Sequence, residues 1–137
     1  MDYLSDTSFL IGRWRERAAS PEQRFIDQHP DAALALPWVV KGEFLRGAVL
    51  AGHSAEVVTR FLDRYRVVWP TEQTLQLYAE TWAALARTRQ MVGVHDLWIA
   101  VCALEHDVPL LTRNAAEFAR VPRLRVVDYA NPPAPSN

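Results

Sequence analysis

Three acidic side chains stand where the surrounding sequence predicts ordered structure rather than an open surface. Asp6 follows the short apolar segment near the start of the chain, and Glu43 comes one residue before Phe44, which we expect in the core. Asp96 stands at the start of the most apolar predicted helix, and no Lys or Arg lies within a turn of it. Carboxylates that share one cleft repel each other, so they either take up protons or bind a cation.

Such a cluster would bind a hard metal ion. Oxygen ligands without Cys or clustered His favour Mg²⁺ or Mn²⁺ over zinc. An ion of this kind can orient a water, lower its pKa and neutralise a phosphodiester in the transition state. Each acid also has an ordinary structural explanation that the sequence leaves open. Asp6 and Asp96 could be helix caps, and Glu43 could be one solvated acid among sixteen.

The elements that would position these acids alternate along the chain. Short apolar strands are predicted up to Asp6 and at 32–36, 66–69, 108–112 and 124–127. Helices are predicted after Asp6, from Ser20, at 38–50, after Ser54, from Thr71 and from Asp96 to Leu104. This alternation predicts an α/β fold with a parallel sheet covered by helices on both faces. Functional sites in such sheets form outside the carboxyl ends of the strands.

The clearest amphipathic pattern follows Thr71. Leu75, Tyr78, Trp82 and Leu85 recur at helical spacing, which predicts that they form the buried face of one helix. We therefore expect Tyr78 and Trp82 in the core rather than as a stacking platform for bases.

Four segments, taken in order, resemble the PIN-domain family and in particular its VapC-type toxins. They are YLSDTSFLI at 3–11, GEFLRG at 42–47, VHDLWIA at 94–100 and LLTRNAAEF at 110–118. Their order and spacing cover the chain up to its Pro-rich end. The resemblance implies a single PIN-like domain with a five-stranded parallel sheet, and an acidic site that cuts RNA with Mg²⁺ or Mn²⁺.

The resemblance assigns roles to particular residues. Asp6, Glu43 and Asp96 match the three most regular acids of the family and are the predicted catalytic and metal-binding residues. Many relatives have Asp directly after Thr-Arg, where this chain has Asn114. Asn114 can coordinate through its carbonyl or hold a water, and Glu117 can reach the same site, so one or two ions remain possible. Ser8 and Thr112 are predicted to orient ligands or waters.

Contacts with RNA must come from a local patch, because the net charge is −1. Lys41 is the only lysine among fifteen basic residues. The abundance of Arg suits phosphate binding, but codon bias is the simpler explanation. The predicted phosphate contacts are Arg13, Arg46, Arg87, Arg89 and Arg113.

Several other kinds of protein are excluded. Cys102, the only cysteine, is predicted to be a small core residue, and a disulfide within the chain is impossible. Without a signal-peptide pattern or a membrane-length apolar stretch, we expect a cytoplasmic protein that does not enter a membrane. The histidines lack metal-ligand spacing, and His95 is interpreted as a loop or capping residue. No phosphate-binding Gly-rich loop, dehalogenase-type Asp pair or receiver-domain Lys is present.

The sequence thus predicts a metal-dependent endoribonuclease, the toxin of a toxin–antitoxin pair. The nuclease domain is expected at 1–130 and a disordered Pro-rich tail at 131–137. A cognate antitoxin and an RNA substrate are the expected partners. A homodimer is also expected, through the helices that carry Val57, Phe61 and Tyr78. Because Asn114 is neutral, a non-catalytic PIN-like module that only binds RNA or protein remains the alternative.

Overall fold

The structure, a computed structural model, describes residues 1–132. Within this range the chain forms five strands and seven helices, with one or two helices between successive strands. The strands are β1 (Tyr3–Ser5), β2 (Leu34–Pro37), β3 (Arg66–Val68), β4 (Leu110–Thr112) and β5 (Val126–Asp128). The helices are α1 (Thr7–Arg15), α2 (Pro21–Gln28), α3 (Trp38–Leu50), α4 (Ala55–Leu62), α5 (Glu72–Thr88), α6 (Val94–His106) and α7 (Ala115–Phe118). Most of the predicted tail, 133–137, lies outside the described residues.

The strands form one parallel sheet in the order β3-β2-β1-β4-β5, as predicted. Leu4 of the central strand is paired with Ala35 on one side and Leu110 on the other. β2 and β3 are added on one side of β1, and β4 and β5, later in the sequence, are added on the other side. The crevice between β1 and β4 is therefore the topological switch point, where ligands bind in open α/β sheets.

Successive strand residues point to opposite faces, and each face has its own hydrophobic cluster. Leu4 and Leu110 belong to the larger cluster, whereas Tyr3 and Leu111 belong to the smaller one. Cys102 is fully buried in the larger cluster, as predicted. The sheet is thus covered on both faces. Among residues 1–132, no helix combines the length and apolar character needed to span a membrane.

Several predicted boundaries of helices and strands shift by one or two residues. The most apolar helix begins at Val94 and not at Asp96, because Gly93 is its N-cap and the Leu97 amide donates to the Gly93 carbonyl at 2.9 Å. Asp96 therefore lies inside the first turn, where a carboxylate interacts favourably with the helix dipole. The last strand, predicted at 124–127, is Val126–Asp128.

The prediction for the buried face of α5 was wrong in part. Leu85 is buried, but Leu75 and Trp82 are 48% and 45% exposed. Thr74 and Thr81 occupy the buried face instead. The small Thr side chains allow α5 to approach α6 closely, and this leaves the larger apolar side chains at the edge of the contact.

The helices of the expected dimer interface carry Phe61 and Tyr78, and both side chains make contacts within the chain. Phe61 is buried against Trp14 and Phe44, and Tyr78 stacks on Trp98 with ring centroids 3.9 Å apart. Phe61 is therefore a core residue. Val57 is exposed, and the homodimer itself stays a prediction.

Candidate active site

A cavity of about 460 Å³ opens at the carboxyl edge of the sheet, where β1 and β4 end. The three predicted acids, Ser8 and Asn114 all line this cavity. The full lining is Asp6, Thr7, Ser8, Ile11, Glu43, His95, Asp96, Ile99, Arg113, Asn114 and Phe118. Residues from α1, α3, α6 and α7 thus meet those that directly follow β1 and β4, although they are widely separated in the sequence.

Asp6 is both a helix cap and a wall of this cavity. Its side chain is almost fully buried, and its Oδ1 accepts the Phe9 amide at 3.0 Å, which caps α1. The Ser8 hydroxyl donates to both Asp6 oxygens, at 2.8 and 3.0 Å. Burial raises the pKa of Asp6, while hydrogen bonds from Thr112, Phe9 and Ser8 act in the opposite direction. The capping interpretation is therefore correct, but it does not remove Asp6 from the site.

Asp96 is held in an unfavourable electrostatic environment. Burial, followed by the neighbouring carboxylate of Glu117, raises the pKa of Asp96 to about 6, and Asp6 adds to the repulsion. His95 partly offsets this effect. Negative charge is thus concentrated in the cavity beyond what its own residues neutralise, which is the environment that a cation would relieve.

Glu43 is half-buried and held in place from two other helices. Thr7 of α1 donates a hydrogen bond to Glu43 Oε2 at 2.7 Å, and His95 Nε2 of α6 contacts the same oxygen. The solvated-acid interpretation is therefore wrong. The interpretation of His95 as a loop or capping residue is also wrong, because His95 lies within α6 and faces Glu43. The position of His95 directly before Asp96 was the sequence feature that could have placed it at the site.

Asn114 and Glu117 interact with each other. Asn114 Nδ2 donates to Glu117 Oε2 at 2.5 Å, and the Gly93 amide donates to Glu117 Oε1 at 3.4 Å. Asn114 lines the cavity, whereas Glu117 lies behind it, near enough to raise the pKa of Asp96. Thr112 is fully buried, and its hydroxyl accepts the Asn114 amide at 2.9 Å.

The candidate RNA-binding arginines are placed differently from one another. Arg113 lines the cavity, and Arg46 lies beside it, 3.8 Å from Glu43. Arg13 instead joins α1 to α2 by donating to Gln23 Oε1 at 2.8 Å. The remaining two, Arg87 and Arg89, are exposed at the end of α5 and are not part of the lining.

Tyr129, which follows β5, is a site neighbour that the sequence reasoning missed. Its hydroxyl lies 3.0 Å from Ser8 Oγ, and burial raises the pKa of its phenol. The available signal was its position after the last strand, since every parallel strand ends at the same edge of the sheet.

The donor set fits Mg²⁺ or Mn²⁺, although it does not form a complete protein cage. Among residues 1–132, no three His, Cys, Asp or Glu side chains are gathered closely enough to hold an ion. Mg²⁺ is commonly held by one or two carboxylates and several waters, and Asp6 and Asp96 face one cavity. The pKa values of both acids are raised, first by burial, and a bound cation would oppose this effect.

Comparisons with known proteins agree with this architecture. The PIN domain profile matches residues 3–124. "Ribonuclease VapC1" of Haemophilus influenzae (strain R2866) is 27% identical over 132 residues, which cover 94% of this chain and 98% of that protein. VapBC-1 from nontypeable Haemophilus influenzae superposes with a TM-score of 0.79 at 26% identity, covering 96% of this chain and 100% of that one.

A second solved structure supports the fold alone. DNA-bound VapBC from Salmonella typhimurium gives a TM-score of 0.79 at 23% identity, covering 94% of this chain and 98% of that one. The predicted resemblance, including its VapC-type character, is confirmed. Because the PIN domain profile matches residues 3–124, most of its length, the chain belongs to the PIN domain family.

Proposed function

We propose that this protein is a metal-dependent endoribonuclease that hydrolyses RNA phosphodiester bonds and serves as the toxin of a toxin–antitoxin pair. The observation that carries the proposal is the pairing of Asp6 and Asp96, two carboxylates with raised pKa values, in one cavity at the switch point of the sheet. The name "Ribonuclease VapC1" of a relative that aligns over nearly its whole length supports RNA as the substrate.

Asp6 and Asp96 would hold Mg²⁺ or Mn²⁺, with Glu43 reaching the ion through a water. The bound ion would supply a water of lowered pKa and neutralise charge on the phosphate. Thr7 and His95 fix Glu43 in the cavity wall, while Ser8 and Phe9 fix Asp6. This pre-organisation means that the acids need little rearrangement when substrate arrives.

Arg113 is the best-placed candidate for binding the RNA backbone. Its guanidinium lies at the cavity, where its positive charge acts on both Asp6 and Tyr129. A planar guanidinium can donate two hydrogen bonds to one phosphate. Arg46 is largely exposed beside Glu43 and is the second candidate.

A cognate antitoxin is the proposed protein partner. The solved structures that resemble this chain include VapBC complexes and a toxin–antitoxin complex from Klebsiella pneumoniae. Val49, Leu50 and Val57, on α3 and α4, are 78%, 89% and 49% exposed. Such exposed apolar side chains are typical of surfaces that bind a partner. The homodimer and the cytoplasmic location remain predictions.

Metal removal tests the activity. Purified protein should cleave a mixed single-stranded RNA in Mg²⁺ or Mn²⁺, lose cleavage in EDTA, and regain it when excess metal is restored. The products should be internal fragments resolved on a denaturing gel. Cleavage that persists in EDTA would contradict the metal-dependent mechanism. RNA binding without cleavage in either metal would favour the non-catalytic module, for which the neutral Asn114 is the supporting observation.

Glu117→Gln is expected to weaken Mn²⁺ binding, because it removes a negative charge beside Asp96. The expected loss is about 1–3 kcal/mol, as for other charged hydrogen-bonding groups. Asn114→Asp should instead leave affinity unchanged or strengthen it. Calorimetric titration of Mn²⁺ into the two metal-free variants makes the comparison. If Glu117→Gln binds Mn²⁺ as tightly as wild type, the site has three acids, and Glu117 only stabilises the N-terminal turn of α7.

A further inference from the structure

Tyr129 lies where two functional groups of the cavity meet. Its side chain is 5% exposed, and its ring packs edge-on against Phe9 with centroids 5.0 Å apart. Asp128 accepts the backbone amides of Ala130 and Asn131 at 3.0 and 2.9 Å, which fixes the turn that follows β5. The phenol is thus held rigidly in the smaller hydrophobic cluster, with its oxygen directed at Ser8.

The hydrogen bonds that join Tyr129, Ser8 and Asp6 are all donated toward Asp6. Ser8 has a single hydroxyl proton, which it donates to the two oxygens of Asp6. The 3.0 Å contact between Ser8 and Tyr129 must then be donated by the Tyr129 hydroxyl. A chain from Tyr129 through Ser8 to Asp6 results, in which each bond polarises the next. Without the phenol, the Ser8 hydroxyl loses the partner that fixes its rotation.

The ring of Tyr129 has a second contact. The guanidinium carbon of Arg113 lies 5.8 Å from the ring centroid, within the range of a cation–π interaction. Arg113 is otherwise exposed and has no acidic partner among the ion pairs of the described residues. The aromatic face therefore restricts where a long and flexible cation can lie at the mouth of the cavity.

We propose that Tyr129 is a positioning residue for both halves of the site: its hydroxyl aligns Asp6 for the metal ion, and its ring aligns Arg113 for the RNA phosphate. The inference rests on the proposed nuclease function. It assigns the two tasks to different atoms of one side chain, so that substitutions can separate them.

Two variants test the assignment by measurements that do not depend on cleavage. Mn²⁺ affinity is measured by calorimetry on metal-free protein, and affinity for a short single-stranded RNA is measured by fluorescence anisotropy in EDTA. Tyr129→Phe, which keeps the ring, is expected to weaken Mn²⁺ binding by about 10-fold, as when other groups that orient a metal ligand are removed. Its RNA affinity should be unchanged. Tyr129→Leu should show the same loss for Mn²⁺ and weaken RNA binding by about threefold as well.

Control variants identify the cause of each loss. Tyr65→Phe, which alters a phenol packed on Phe61, should match wild type in both measurements. Arg113→Gln should weaken RNA binding in the wild-type background and produce no further loss in Tyr129→Leu. Should Tyr129→Leu fail to fold, Arg113→Lys tests the ring contact, because an ammonium group stacks less well than a guanidinium.

The outcomes distinguish this inference from the proposed function. If the wild-type protein cleaves RNA and Tyr129→Phe binds Mn²⁺ as tightly as wild type, the positioning role is overturned and the nuclease function stands. If wild-type protein takes up no Mn²⁺ and cleaves no RNA, the proposed function fails and the role of Tyr129 fails with it. An equal loss of RNA affinity in Tyr129→Phe and Tyr129→Leu would overturn the separation of hydroxyl and ring.

Discussion

Asp96→Asn is expected to abolish RNA cleavage and at the same time make the metal-free protein more stable at neutral pH. Loss of the carboxylate removes one of the two proposed metal ligands that line the cavity. The expected decrease in cleavage is about 10²–10³-fold or more, the effect of removing one pre-organised electrostatic group from an active site. Opposite signs for activity and stability are typical of a residue kept for function rather than for folding.

The gain in stability should depend on pH in a defined direction. The pKa of Asp96 is about 6 in the folded protein against an ordinary value of 3.8, so the folded state binds more protons than the unfolded state between these values. The contribution of Asp96 to the free energy of unfolding of the wild-type protein therefore falls as pH rises from about 4 to 6. Above that range the full cost of burying the ionised carboxylate is present. Asn carries no such penalty. After allowance for solvent screening of a half-buried group, the gain at pH 7 is about 1–2 kcal/mol.

Thermal unfolding in EDTA at pH 4 and pH 7 measures this effect. The two proteins should melt at similar temperatures at pH 4, and Asp96→Asn should melt about 3–8 °C higher at pH 7. Asp63→Asn, an exposed acid at the end of α4, is the matched control and should show no such pH dependence. Equal melting temperatures at pH 7 would contradict the charge repulsion, and retained cleavage would remove Asp96 from the site.

Gly12→Ala is expected to destabilise the protein, although the same change usually stabilises a helix. An Ala in a helix interior is favoured over Gly by about 1 kcal/mol. At position 12, however, the added Cβ would overlap the Glu22 side chain, which is 3% exposed on α2. To make room, the Glu22 side chain would have to leave this buried position. The expected net loss is about 1–3 kcal/mol, as for other overpacked positions.

Gly47→Ala supplies the control, because a Cβ there meets nothing within 4 Å on α3. That variant should gain up to about 1 kcal/mol. Chemical denaturation of both variants gives the comparison. In a double-mutant cycle, Gly12→Ala should cost much less in a Glu22→Ala background, since the overlap is then gone. A stabilised Gly12→Ala protein would show that Glu22 adapts at little cost.

The sequence by itself determined the layers of the fold and the edge of the sheet that carries the chemistry. Alternating apolar strands and helical patterns are local signals, so a parallel sheet with both faces covered could be predicted. The same holds for Asp6, because a residue directly after a strand must lie at the carboxyl edge. The site roles of Glu43 and Asp96 were predicted from the resemblance to a known family, because their spacing in the sequence does not predict that they lie close together.

Only the tertiary structure decided how these acids are held. Thr7 reaches Glu43 across 36 positions of the chain, and Ser8 reaches Tyr129 across 121 positions. Periodicity and capping patterns extend over a few residues, so they carry no information about such contacts. The face that α5 buries was likewise decided by how closely α6 approaches, which favoured Thr74 and Thr81 over the larger Leu75 and Trp82. Pairing across the sheet edge and close packing between helices are properties of the assembled chain, and they set the site's geometry.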